Sequence, residues 1–138
     1  MVQQRTRNTG YVYDDGGRSQ YFTGKAGDCV VRAVAIATCK DYKEVYKTAA
    51  KVIGYTPRNG IQHKDTKKVL LHFGGIWHPT MGIGTGCRVH LKADELPAGR
   101  IVCNRSRHLV AVIDGVIHDN HDSSKGGKRC VYGYWTFE

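Results

Sequence analysis

Cys29 is the residue best placed to do chemistry. It follows Gly27-Asp28 and opens Cys29–Thr38, a helix candidate that is apolar on nearly every face. A thiol in the first turn of a helix feels the partial positive charge of free N–H groups, which lowers its pKa and favours a nucleophilic thiolate. The same N–H groups can stabilise an oxyanion. A suitable base lies much later in the chain. His108 leads into the apolar run Leu109-Val110-Ala111-Val112-Ile113, so its ring can border a cleft while the strand behind it is buried. The pair Asp114-Gly115 predicts a two-residue hairpin turn. That turn folds Val116–His118 back on the preceding strand and returns residues 119–120 to the neighbourhood of His108. Asp119 or Asn120 is then positioned to orient the ring, leaving its other nitrogen for Cys29. This is the Cys–His–Asp/Asn logic of a thiol acyl-transfer enzyme.

The elements that must hold these groups follow from pattern and punctuation. The opening polar residues 1–10 are expected to be a flexible tail, with residues 11–138 forming one domain. Tyr11-Val12-Tyr13, a Gly16-Gly17 turn and Tyr21-Phe22 suggest a small hairpin or extended arm. Asp41 with Glu44 three residues on is an acidic variant of the capping box, and Gly54 ends the helix that it opens. A third helix is expected from Asp65 to Phe73, stopped by Gly74-Gly75. Trp77 to Gly86 is expected to be irregular, with Trp77 and His78 lining the cleft as substrate-binding residues beside Asn120. Strand periodicity then takes over at Arg88–Leu91, Arg100–Asn104, the His108 hairpin and Val131–Phe137. Helices followed by an antiparallel sheet make an α+β arrangement.

The order of a cysteine on a central helix, then a strand-borne histidine, then Asp or Asn resembles that of papain-like cysteine peptidases. The Asp28-Cys29 pair and the pattern from His108 to Asp119 are most similar to the compact branch that contains bacteriocin-processing peptidase domains. Tyr13–Arg18, Gly27–Ala33 and Arg129–Trp135 also resemble small proteins of bacteria and phages. The resemblance implies a papain-like fold, with N-terminal helices packed against a C-terminal antiparallel sheet. It also implies a thiol hydrolase acting on a peptide or isopeptide bond of a protein or peptide substrate through Cys29, His108 and Asp119, with no cofactor and no metal. Two departures stand out. The Gln that such enzymes place a few residues before the cysteine is absent, leaving Gln20, nine residues upstream, as the candidate oxyanion donor. Val30 also stands where a glycine often follows the nucleophile.

Composition bounds the alternatives. The 138 residues carry 21 Lys and Arg against 12 Asp and Glu, a net charge of +9. Residues 40–68 alone hold eight basic and three acidic side chains. Such a face suits an acidic partner, and the rival reading is a catalytically inactive binding protein that docks on a host protein or nucleic acid through it. Specific reading of nucleic acid is not expected, because Tyr42 and Tyr46 fall on the apolar side of their helix. The longest aliphatic runs, Ala33–Ala37 and Leu109–Ile113, are far too short to cross a membrane. No apolar leader follows Met1, and five cysteines is an odd count. Both suit reduced thiols in the cytoplasm. A zinc site drawn from Cys87, His90, His118 and His121 has suggestive spacing, but Cys87 and His90 fall three apart on an expected strand and so point to opposite faces.

Overall fold

The structure, a computed structural model, describes residues 10–22, 27–81, 86–105, 108–122, 124 and 128–137. Of the tail expected at 1–10, residues 1–9 lie outside the described residues, as do parts of the loops at 23–26 and 82–85, and Gly10 belongs to the first strand instead. Helices α1 (Cys29–Thr38), α2 (Tyr42–Ile53) and α3 (His63–His72) follow strand β1 (Gly10–Tyr13) and precede strands β2 (Gly75–Pro79), β3 (Val89–His90), β4 (Arg100–Arg105), β5 (His108–Ile113), β6 (Val116–Asp119), β7 (Cys130–Val131) and β8 (Gly133–Phe137). The architecture is α+β. None of these helices is long and apolar enough to cross a membrane.

Six strands form one mixed sheet in the order β1-β6-β5-β4-β8-β2, and β3 and β7 form a separate pair. The apolar run of β5 sits near its centre, which is why nearly every residue of that strand is hydrophobic. Val102, Ala111 and Trp135 face α1 and the other helices. The alternate residues Ile101, Cys103, Val110, Val112 and Ile117 form a second core with Leu91 and with Val131 of β7. Helix α1 is thus buried between α2, α3 and the sheet, as its all-round apolar surface requires.

Local signals are realised where they were strongest. The Asp41 carboxylate accepts from the backbone N–H groups of Lys43 and Glu44, and Gly54 closes α2 in the left-handed region. The Asp114-Gly115 turn has positive φ at both residues, which joins β5 to β6 with the twist that a tight hairpin needs.

Three expectations are corrected. Tyr11–Tyr13 is no hairpin arm: β1 pairs in parallel with β6, Gly10 opposite Val116, so the sheet is mixed and its edge comes from the N-terminal part of the chain. The segment after Gly74 is not irregular, because β2 pairs antiparallel with β8 and puts Trp77 opposite Trp135. The indole of Trp77 lies over Gly133, where any Cβ would fall about 2.1 Å from the ring. Cys87 and Cys130 are not reduced thiols. The β3–β7 pairing sets His90 opposite Cys130, and the two cysteines meet as a disulfide with Cα atoms 5.8 Å apart.

Candidate active site

Asp28 precedes α1 but does not cap it, for its side chain accepts no bond from the first turn. The carboxylate is buried and turns sideways to the Arg32 guanidinium and the Tyr42 hydroxyl. Arg18 Nε lies 3.2 Å from it. Arg32, one turn into the helix, also reaches Asp119 Oδ1 at 3.4 Å. The other Asp119 oxygen is 2.7 Å from His108 Nε2. Both Cys29 and His108 line the same cleft, close enough that each is a leading influence on the other's proton. With Nε2 held by Asp119, Nδ1 is the ring nitrogen left for sulfur. One continuous network therefore runs from Arg18 to His108 through two buried carboxylates.

The chemistry of the pair follows from these contacts. Burial pushes the Cys29 thiol up, but the hydrogen bonds from His108 and from the Leu109 backbone, with the charges of His108 and Arg32, outweigh it and bring the thiol below its ordinary value. Burial likewise works against the charge on His108, yet its bonds to Asp119 and Cys29 raise it to about 9. Asp119 is held low against its own burial, first by His108. A lowered thiol beside a raised imidazole favours the ion-pair form, thiolate with imidazolium, over the neutral pair.

The rate at which iodoacetamide modifies Cys29 should therefore reach half its plateau below pH 8.5, the value of about 8.5 being that of an ordinary thiol. A tenfold rise per pH unit up to pH 8.5 would show an unpaired thiol. Stability should follow the same proton. Because the folded-state pKa of His108 exceeds its ordinary 6.5, its contribution is complete below about pH 6.5 and fades as pH rises through about 9. Urea midpoints of wild type and His108→Gln should converge over that interval.

The site borders a cleft of about 640 Å³ whose walls include Cys29, Arg105, His108, Asn120 and Tyr132. Asn120 is on the cleft but not behind the imidazole. Its N–H donates to Asp119 Oδ1 at 2.7 Å, so Asp119 is the group that meets His108. No family model, curated protein or solved structure matches the chain. Geometry alone therefore bears on the site.

The remaining expected residues fall at varying distances from this centre. Trp77 lines an adjoining groove with His63, Thr66, Asn104 and Trp135. His78 points to the opposite face of the sheet, stacking on Tyr134 and meeting Thr136 Oγ1 at 2.9 Å, because neighbours on a strand alternate sides. Gln20 is exposed on a 3-10 turn and does not line the cleft. Arg32 has no role in the sequence reading, although a lone charge in an otherwise apolar helix demands a buried counter-charge. His121, which the sequence suggests only as a zinc ligand, has its ring 5.3 Å from that of His108.

The candidate zinc ligands are dispersed. Cys87 and Cys130 are joined to each other, His90 pairs with Glu95, and His118 pairs with Asp14. His108, Asp119 and His121 do present N and O atoms within 4.8 Å of one another. A divalent cation there would have to displace the His108–Asp119 bond.

Proposed function

We propose that the protein is a papain-like thiol hydrolase that cleaves a peptide or isopeptide bond through Cys29, His108 and Asp119. The observation that carries this reading is the convergence of Cys29 and His108 at a helix start on an open cleft, with the ring hydrogen-bonded to Asp119 and the thiol and ring each shifting the other's proton affinity. In this mechanism the Cys29 thiolate attacks the carbonyl carbon and forms the C–S bond. His108, already protonated, gives its proton to the leaving amine as the C–N bond breaks. Water then loses a proton to His108 and attacks the thioester, releasing the acid and restoring the thiol pair. Asp119 keeps the ring oriented and its charge compensated. The first-turn N–H groups of α1 have no partner within the helix and are suited to the oxyanion. They offer the role that Gln20 was expected to fill. The substrate is a protein or peptide, and the residues of the triad need no cofactor for these steps.

The test is selective labelling. A peptidyl vinyl sulfone should modify Cys29 well before exposed Cys39 and buried Cys103. Cys29→Ala should retain the wild-type melting temperature and lose all hydrolysis of a mixed fluorogenic peptide pool. Labelling of Cys39 ahead of Cys29 would remove the hydrolase and leave the binding protein, with exposed Lys43, Lys47 and Lys51 on α2 as its docking face.

A further inference from the structure

The cleft has a one-sided charge. Arg32, His63, Arg105, His108 and His121 line it, and no Asp or Glu does among the described residues. Two carboxylates that adjoin lining residues in the chain are turned away into the protein, Asp28 toward Arg32 and Arg18, and Asp119 toward His108 and Arg32. The charge of Arg32 is balanced by those two acids. Arg105 is the other guanidinium of the lining. It stands at the end of β4 opposite His108 across the β4–β5 pair, half-buried, within the electrostatic reach of Cys29, Asp119 and a further guanidinium, Arg129. Burial and Arg129 both disfavour its charge. A cleft wall with two guanidiniums and three imidazoles and no carboxylate among the described residues favours a ligand that brings a negative charge, and the planar fork of Arg105, opposite His108, matches a carboxylate.

We propose that the cleft selects substrates carrying a carboxylate close to the bond that Cys29 attacks, with Arg105 as the group that receives it. This rests on the thiol-hydrolase reading and names its substrate class. The carboxylate can belong to an acidic side chain or to a chain end, since both present the same planar anion.

Iodoacetate and iodoacetamide make a matched pair of probes. Each is attacked by the Cys29 thiolate at carbon with loss of iodide, and they differ only in the carboxylate. The ratio of their rates at Cys29, read by mass spectrometry at pH 7, cancels changes in the thiol itself and in the imidazolium beside it. Arg105→Gln should lower that ratio roughly five- to tenfold, as expected for one charge removed at close range in a partly screened site. Arg105→Glu should lower it further, and Arg105→Lys should keep it near wild type. Lys43→Glu, a charge change away from the cleft, should leave the ratio unchanged. Two competitor peptides then assign the source: one with an internal glutamate and an amidated end, the other with neutral side chains and a free α-carboxylate. The one that protects Cys29 from iodoacetamide identifies it. An unchanged ratio in both Arg105→Gln and Arg105→Glu overturns the proposal, as does protection by neither peptide. Slow labelling of Cys29 by both reagents in wild type would instead overturn the hydrolase reading beneath it.

Discussion

Replacing His108 with alanine should slow the modification of Cys29 by iodoacetamide at pH 7 by roughly 30- to 100-fold. The size follows from what holds the thiol low. Burial acts in the opposite direction, and the strongest influence against it is the hydrogen bond from His108. Without the ring, the pKa returns at least to the ordinary range of about 8.5, where only a few per cent of the thiol is ionised at pH 7. On the proposed hydrolase mechanism, peptide hydrolysis should fall further, by about 10²–10⁴, because the leaving amine and the attacking water would both lose their proton partner. Circular dichroism of the variant should match wild type, since His108 sits at a strand end and its loss leaves both hydrophobic cores in place. Modification within threefold of the wild-type rate would show that the ring does not control the sulfur.

Arg32→Leu should destabilise the protein by about 3–5 kcal/mol. That is a large part of the roughly 5–15 kcal/mol that a domain of this kind commands. Leucine fits the apolar surroundings of α1, so the loss is electrostatic. Asp28 and Asp119 are 2% and 3% exposed, and both lean on the one guanidinium. Removing it leaves two anions in the interior, one supported by Arg18 and Tyr42, the other by His108 and the Asn120 N–H. Urea midpoints at pH 7 measure the effect. Buried acids without their cation take up protons more readily, so the gap between variant and wild type should narrow as pH falls toward 4. Adding Asp119→Asn to Arg32→Leu should recover part of the loss. A shift below about 1 kcal/mol would mean that Arg18, Tyr42 and His108 suffice.

What could be read from the chain beforehand was mostly short-range. Asp41, Glu44 and Gly54 mark the ends of α2 because capping is a contact between near neighbours. Asp114-Gly115 fixes the β5–β6 hairpin, and with it the approach of Asp119 to His108, for the same reason. The meeting of that hairpin with Cys29 is long-range, and in the sequence only the resemblance in chain order points to it. Partners remote in sequence with no pattern of their own escaped. Tyr11-Val12-Tyr13 reads equally well as one arm of a hairpin or as an extended arm, and only β6, about a hundred residues on, makes it an edge strand. Gly75-Ile76-Trp77-His78-Pro79 lies between a Gly pair and a proline, which hides a strand that exists by pairing with β8. The expected closing strand Val131–Phe137 divides at Tyr132, whose N–H donates to Asn104 and whose carbonyl accepts from Thr80. Cys87 and Cys130 carry no local sign of each other, so their bond could not be told from metal-ligand spacing.

Cys29 and Arg32 stand three residues apart on one helix, separated by a rise of about 4.5 Å. The nucleophile and the cation that anchors the acid at the far end of the triad therefore ride on a single stiff rod. His108 and Asp119 stand on the sheet, so the seat of that rod on β5 and β6 sets both junctions at once, one at sulfur and one at guanidinium.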